Sequence, residues 1–461
     1  YIVFLKQLTE GVEMLTFSKE IRQFMDDMMD GIRKVIMEQE LEAFDDKSRR
    51  LLADAFGKAG ERYREAAYTG LSGETVEIDR MSLYAELDAL QDIVEETINN
   101  SKRDDGLYHA YNLISFTDDS IKVTHLYSML EGQVAVLTSG ILSGEESADL
   151  LDAMRHSDLY REDQRSYMLY PARKRKTFLE MNNIPEDARQ TDAVKQLLGN
   201  PNQHILLEDR DGALHFSGDF NNADFLQREA EREGLSEEHI QQLKDLYEQV
   251  FNHHAFTGRS GTFYKYEGLG CIYWHMVSKL LLAVGETIEA YTAQLQAGNV
   301  EADAVLARLK KHYAAIREGI GSHKAPAEYG SFPFDAYSHT PSMAGVQQPG
   351  MTGQVKEDII NRFFELGVSV KDGQIRFCPQ MLSETDFING ELCFTYCNIP
   401  VVYRLAQDNA IQLSTLDGEL QLSEMTLPKQ LSEHIFARDG FVKQIIVKGT
   451  SKNSTFFRNP Y

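Results

Sequence analysis

The sequence predicts a mainly α-helical protein: an (α/α) toroid of helical hairpins over residues 1–366, followed by a small antiparallel β-domain over 367–461. Three observations lead there. Before residue 367, about ten to twelve stretches carry apolar residues at helical spacing with acids and bases between them. These stretches are joined alternately by short turns and by long loops rich in Gly, Asp, His and Tyr, as expected of inner and outer helical rings with one set of loops carrying a pocket. After residue 367 the pattern changes to period two, with apolar runs bounded by turns.

The bulk numbers bound the rest. A chain of 461 residues can bury a large core. Its net charge of −24 argues against binding a nucleic-acid backbone over a broad surface, but leaves room for a small anion held locally by arginines. Four cysteines (271, 378, 393 and 397) are too sparse for a disulfide scaffold, and no metal-ligand spacing surrounds them, so no metal is expected. No run approaches the length of a membrane span. The chain opens YIVFLKQLTEG, without an initiator methionine or a signal-like segment. It reads as the middle of a longer protein, so an upstream domain of the same protein is expected, with a cytoplasmic location favoured. Oligomeric state is not legible.

Taken in order, Phe17–Glu42, Ser48–Tyr68 and Met81–Thr97 have helical periodicity, and residues 69–80 connect the last two. Ser18 followed by Ile21, Phe24 and Met28 fits an N-cap and an apolar stripe. Residues 103–112 then pack Asp104, Asp105, Tyr108, His109, Tyr111 and Asn112 together. Carboxylates and amides suit vicinal hydroxyls and tyrosine rings suit apolar sugar faces; the competing reading is an Asp-Gly turn with docked tyrosines. A helix is expected over Val123–Gly140, and Ser143 with Glu146 forms a capping box for the next. In the polar connection 156–175, Asp163 and Gln164 are placed to face a cleft, while Arg161, Arg165, Arg173 and Arg175 either bind an anion or pair with nearby acids. Asp211-Gly212 signals a hairpin turn, and helices start at Asn222 and Glu237.

The densest stretch is 253–290. Glycines 258, 261, 268 and 270 loosen a loop holding Arg259, Tyr266 and Glu267, and an apolar helix begins near Leu269 with Ile272, Met276, Leu280 and Ala283 on one stripe. Trp274 is the only tryptophan. A further helix over Ala302–Ile320 leads to a second dense loop, 321–354, with Glu328, Asp335, His339 and Thr352-Gly353. A loop of that length without periodicity usually has a function. A helix over Val355–Leu366 ends at Gly367.

The stretches DGLYHAYNLI, YKYEGLGCIYWHMVSKLLLAV and YSHTPSMAGVQQPGMTGQVKEDI resemble the C-terminal, six-hairpin-glycosidase-like part of large bacterial carbohydrate-active proteins. More distantly, Met351-Thr352-Gly353, a helix and DGQIRFCPQML are similar to the end of inverting disaccharide phosphorylases of the cellobiose and maltose types. The second resemblance implies a Thr-Gly loop that helps to hold phosphate and a β-domain that caps a toroid. The first resemblance carries across no verified catalytic residue.

For glycoside chemistry the expected general acid is Glu267, whose aromatic neighbours would desolvate it, with Glu328 and then Asp335 as the opposing base. Asp104, Asp105, Tyr108, His109, Asp163, Tyr266 and Trp274 are the expected contacts to an oligosaccharide or glycan. The favoured expectation is an inverting hydrolase. The alternatives are an inverting phosphorylase, with Arg259, His339 and Thr352 holding inorganic phosphate as co-substrate, and a non-catalytic glycan-binding module. No cofactor is expected. The sequence has no Gly-x-Ser-x-Gly elbow, no HExxH and no nucleotide-binding glycine loop.

Overall fold

The computed structural model describes residues 1–39, 45–110, 112–171, 177–252, 272–296, 302–320, 324–325, 339–340, 353–379, 381–382, 386–406 and 408–450. The chain forms two units, one of Tyr1–Pro171 with Cys271–Tyr461, the other of Ala172–Gly270.

The first unit begins with α1 (Ile2–Leu8), β1 (Met14–Ser18), α2 (Lys19–Gln39), α3 (Asp46–Thr69), β2 (Thr75–Asp79) and α4 (Arg80–Asn99). Ser18 Oγ accepts from Ile21 N at 3.3 Å, as its expected cap role requires, and Asp45 and Asp79, not singled out in the sequence, cap α3 and α4 by accepting from Ser48 N and Ser82 N. Met29, Ile32, Val35 and Leu52 form the buried seam between α2 and α3, with Leu90 and Ile93 of α4 packed against it. Gly31 permits the approach, because a Cβ there would lie 2.7 Å from that of Ala55. The connector 69–80 differs from expectation: β2 pairs antiparallel with β1, Met14 opposite Asp79 and Ser18 opposite Thr75. Its five residues are nearly all exposed, so no buried face marks the strand.

Next come the hairpin β3 (Leu113–Phe116) and β4 (Ile121–Thr124), then α5 (Leu130–Ser139), α6 (Gly144–Arg155), β5 (Tyr160–Arg161) and β6 (Ser166–Tyr167). The helix expected from Val123 starts only at Leu130. The β-branched residues of Ile121-Lys122-Val123-Thr124 favour the extended chain and pair with β3. The Ser143–Glu146 capping box is present in full.

The second unit holds α7 (Phe178–Met181), α8 (Asp192–Leu198), the hairpin β7 (Leu206–Glu208) and β8 (Leu214–Phe216), α9 (Ala223–Arg232) and α10 (Glu237–Phe251). Asp211-Gly212 turns the hairpin, with Gly212 at φ +84°. Asn222 caps α9 by accepting from Asp224 N and Phe225 N. The unit has its own core, in which Val194, Leu197, Ile205, Phe216, Leu226, Leu243 and Tyr247 are buried together. Asn182 is sealed into it: its amide donates to Phe216 O at 2.8 Å and accepts from Phe216 N at 2.9 Å.

The first unit resumes with β9 (Ile272–Tyr273), α11 (Trp274–Gln296), α12 (Ala302–Gly319), β10 (His339–Thr340) and α13 (Gly353–Leu366). α11 packs against α5, α6, α12 and α13. The helix starts at Trp274, later than expected, and Ile272 of the expected stripe lies in β9; Met276, Leu280 and Ala283 are buried on α11, and so are Val277, Leu281, Val284 and Ile288, the wide apolar coverage of a helix surrounded by others.

The C-terminal part contains the hairpin β11 (Val368–Lys371) and β12 (Gln374–Phe377), then β13 (Glu391–Tyr396), β14 (Ile399–Ala406), β15 (Ala410–Thr415), β16 (Gly418–Leu422), α14 (Lys429–Ala437) and β17 (Val442–Thr450). The last five strands form a sheet in the order β13-β14-β17-β15-β16. All its pairings are antiparallel except β14 with β17, because α14 returns the chain in the direction of β14. Cys397 does not share a strand face with Cys393: with Asn398 it makes the left-handed turn between β13 and β14. The molecule is therefore mainly helical, with helix–helix hairpin pairings and a small C-terminal β-sheet.

Candidate active site

The start of α11 gathers polar groups from four stretches distant in sequence. Tyr273 pairs with His339 and Ile272 with Thr340, so β10 lies alongside β9. Trp274, the first residue of α11, is fully buried. The ammonium of Lys324 lies 4.9 Å from its ring centroid, and the same ammonium, itself buried, donates to the Gln164 backbone carbonyl and to Gln164 Oε1. Cation–π attraction and hydrogen bonds together offset the cost of burying the lysine.

Three residues before Gln164, Arg161 grips Asp163 with a two-pronged bond, Nε to Oδ1 at 2.8 Å and Nη2 to Oδ2 at 2.9 Å. That bond holds the Asp163 carboxyl below the usual carboxylate range. Arg161 is largely buried, and its Nη1 has no hydrogen-bond partner among the described residues.

On the next turn, His275 bridges two elements. Its Nδ1 lies 3.3 Å from Tyr273 Oη, and its Nε2 lies 3.1 Å from Glu357 Oε1 on α13. Facing a carboxylate, Nε2 is the donor of that pair, and Nδ1 shares a hydrogen bond with the tyrosine hydroxyl. Glu357 belongs to a stripe with Asn361 and Glu365, spaced by four along α13, and all three are buried. Asn361 donates to Ser278 O at 3.3 Å. Glu365 receives Arg317 at 3.1 Å, Arg362 at 2.9 Å and Tyr313 Oη at 3.3 Å. Four apolar residues of α13, Val355, Ile359, Ile360 and Phe363, are exposed instead, while Leu366 at its end is buried. A cavity of about 540 Å³ opens beside the stripe, lined by Arg317, Asp358, Arg362 and Glu365, and burial pushes the Asp358 carboxyl up.

The structure treats the expected site residues unequally. Glu267, Tyr266, Arg259, Glu328, Asp335 and Thr352 lie outside the described residues; His339 is placed by its backbone, and α13 begins at Gly353, directly after Thr352. Trp274, Asp163 and the His339 backbone belong to the gathering around α11. Asp104, Asp105, Tyr108 and His109 form another locus. Asp104 is exposed, and Asp105 closes a turn by bonding Arg103 twice and accepting from Leu107 N. Tyr108 is buried, its backbone N–H and C=O both held by the Gln133 side chain. His109 stacks on His125, ring centroids 3.9 Å apart, beside a cavity of about 340 Å³ shared with Ser101, Asn112 and Glu131.

Sequence reasoning misses His275, Glu357 and Lys324. A signal for Glu357 exists in GQVKEDIINRFFEL, where Glu357, Asn361 and Glu365 recur at helical spacing, but polar periodicity normally marks the solvated side of a helix. Among the described residues no group of three or more His, Cys, Asp or Glu side chains is arranged to hold a metal, and no helix is long and apolar enough to cross a membrane.

Residues 175–254 match a family described as GH149 phosphorylase insertion domain 2. The matched segment falls inside the separate unit Ala172–Gly270. No curated protein matches the chain.

Proposed function

We propose that this chain is the catalytic part of an inverting glycoside phosphorylase, which cleaves an oligosaccharide with inorganic phosphate and releases a sugar 1-phosphate. The observation that carries the proposal is the match of 175–254 to an insertion domain named for a phosphorylase, on a stretch that forms a unit with its own core. That name favours phosphorolysis over the hydrolysis expected from sequence. We read the helical hairpins as part of an (α/α) toroid, the β-rich segment from 367 as its cap, and an upstream domain as the rest of the protein.

In this reading Glu267 gives its proton to the leaving glycosidic oxygen while a phosphate oxygen attacks the anomeric carbon from the opposite face, inverting it. Inversion by phosphate needs only one carboxyl acid, so Glu328 and Asp335 become sugar ligands rather than bases. The acidic chain must supply a local anion site. Arg161, whose buried Nη1 has no hydrogen-bond partner among the described residues, and the buried Lys324 support one near Trp274. Arg259, His339 and Thr352 remain the further phosphate ligands of this proposal. His275, at the start of α11 and fixed by Glu357, would be a further hydrogen-bonding group.

The test is turnover of a panel of di- and oligosaccharides by the purified chain, with and without phosphate. Phosphate-dependent release of sugar 1-phosphate, lost in Glu267→Gln, is expected. Release of free sugar without phosphate would overturn phosphorolysis in favour of hydrolysis, and full activity of Glu267→Gln would remove that residue as the acid.

A further inference from the structure

A second polar cavity, of about 370 Å³, lies at the other end of α11, between that helix, the end of α13 and the β11–β12 hairpin. Its basic wall follows from strand register. Ser369 of β11 stands opposite Arg376 of β12, and Lys371 lies two residues beyond Ser369, so the three side chains share one face of the hairpin. Both cations line the cavity, and neither has an ion-pair partner among the described residues.

The opposite wall is one face of α11, where Glu289 and Thr292 are spaced by three. Thr292 Oγ1 is buried and has no hydrogen-bond partner among the described residues. Burial, and then the neighbouring Glu286 carboxylate, push the Glu289 carboxyl up, and this wall offers oxygen groups that can hydrogen-bond hydroxyls. Phe364 supplies an apolar side.

We propose that this cavity binds a sugar phosphate. Lys371 and Arg376 would take the phosphate, with Ser369 as an added donor, while Thr292 and Glu289 would meet the sugar hydroxyls. The volume exceeds what inorganic phosphate alone would fill, and the two walls differ in charge as the two ends of such a ligand do. The site is separate from the gathering at the start of α11: Glu289 is fourteen residues beyond His275, roughly 20 Å along the helix. It therefore fits a regulatory or product-sensing role, and it stands whether or not the chain is a phosphorylase.

Calorimetric titration of the purified chain with glucose 6-phosphate tests it, with glucose and inorganic phosphate as parallel probes. Binding of glucose 6-phosphate is expected, stronger than that of either part. The Lys371→Gln/Arg376→Gln double variant should weaken it about tenfold or more, and Lys371→Arg/Arg376→Lys should largely restore it. Both positions are exposed on the hairpin, and an unchanged melting temperature verifies that the variants fold. No binding to the wild-type chain, equal binding by the double variant, or equal affinity for glucose would each overturn the proposal. None of these outcomes depends on turnover, so the phosphorylase reading is tested separately.

Discussion

Glu357 gives one carboxylate oxygen to His275 Nε2 at 3.1 Å and holds the other buried, with no hydrogen-bond partner among the described residues. A carboxylate only 5% exposed with half its acceptor capacity unused is costly for structure alone. The bond holds the His275 ring against α13, and the second oxygen is free to accept a further donor.

Glu357→Ala should therefore cost about 1–3 kcal/mol of stability, because it strips His275 of its acceptor in a buried setting. Glu357→Gln retains a carbonyl at nearly the same place and should cost clearly less, while both variants lower turnover. Urea denaturation beside the turnover assay distinguishes the effects. Equal destabilisation by Ala and Gln would mean that the charge, and not the hydrogen bond, orients the histidine.

Lys324 can be examined through the chain's single tryptophan, since all indole fluorescence comes from Trp274. With the ring fully buried, acrylamide should quench it weakly. Lys324→Ala removes the ammonium from the ring face and its bonds to Gln164, which should cost about 0.5–2 kcal/mol and raise the quenching constant at least twofold. Unchanged quenching would show that the ring is sealed by other groups and that Lys324 is incidental to it.

Gly367 closes α13 at φ +65°, and a Cβ there would lie 2.1 Å from the backbone carbonyl of Cys378. Flexible side chains can yield to such a contact, but this backbone is tied by Cys378 N to Gly367 O at 2.7 Å. Gly367→Ala combines a strained conformation with a backbone clash and should cost well over about 1 kcal/mol, read as a lowered urea midpoint. A loss of only a few tenths would mean that the β11–β12 hairpin shifts freely against α13.

Features determined by a few neighbouring residues are legible in the sequence: the Ser143–Glu146 box, the Asp211-Gly212 turn, the Asn222 cap, the Gly367 terminator and the buried stripe of α11. Each depends on chemistry within about one helical turn or one hairpin. The pairing of β1 with β2 is not legible, because Thr75–Asp79 has no buried face and its partner is distant in sequence. Nor is the separateness of Ala172–Gly270: its helices and hairpin have the same periodicities as their neighbours, and only tertiary packing encloses Leu226, Leu243 and Phe216 in a core of their own. At the candidate site, Trp274 is legible by its rarity and its dense surroundings. Glu357 is hidden because α13 buries its polar stripe and exposes Ile359 and Ile360, reversing the rule by which a helix is read.

The second unit offers a pH test of its own packing. His215 directs Nδ1 at the Asn182 carbonyl and Nε2 at Asp209 Oδ2, 3.2 Å away, so the doubly protonated ring donates at both ends. The bond to Asn182, and then that to Asp209, raise the His215 pKa above its ordinary value of 6.5. A group more basic in the folded than in the unfolded chain stabilises the fold fully below the unfolded value, and that contribution is lost as pH rises through the folded value. Wild-type stability minus that of His215→Gln should therefore fall as pH is raised from about 5.5 to about 8.5. The difference between the two proteins is the quantity to follow, because other groups titrate in the same range: His109, for one, is pushed the opposite way by burial and by His125. A difference that stays flat with pH would show that the folded unit does not raise the pKa of the ring, so that the bonds to Asn182 and Asp209 do not favour the charged imidazole.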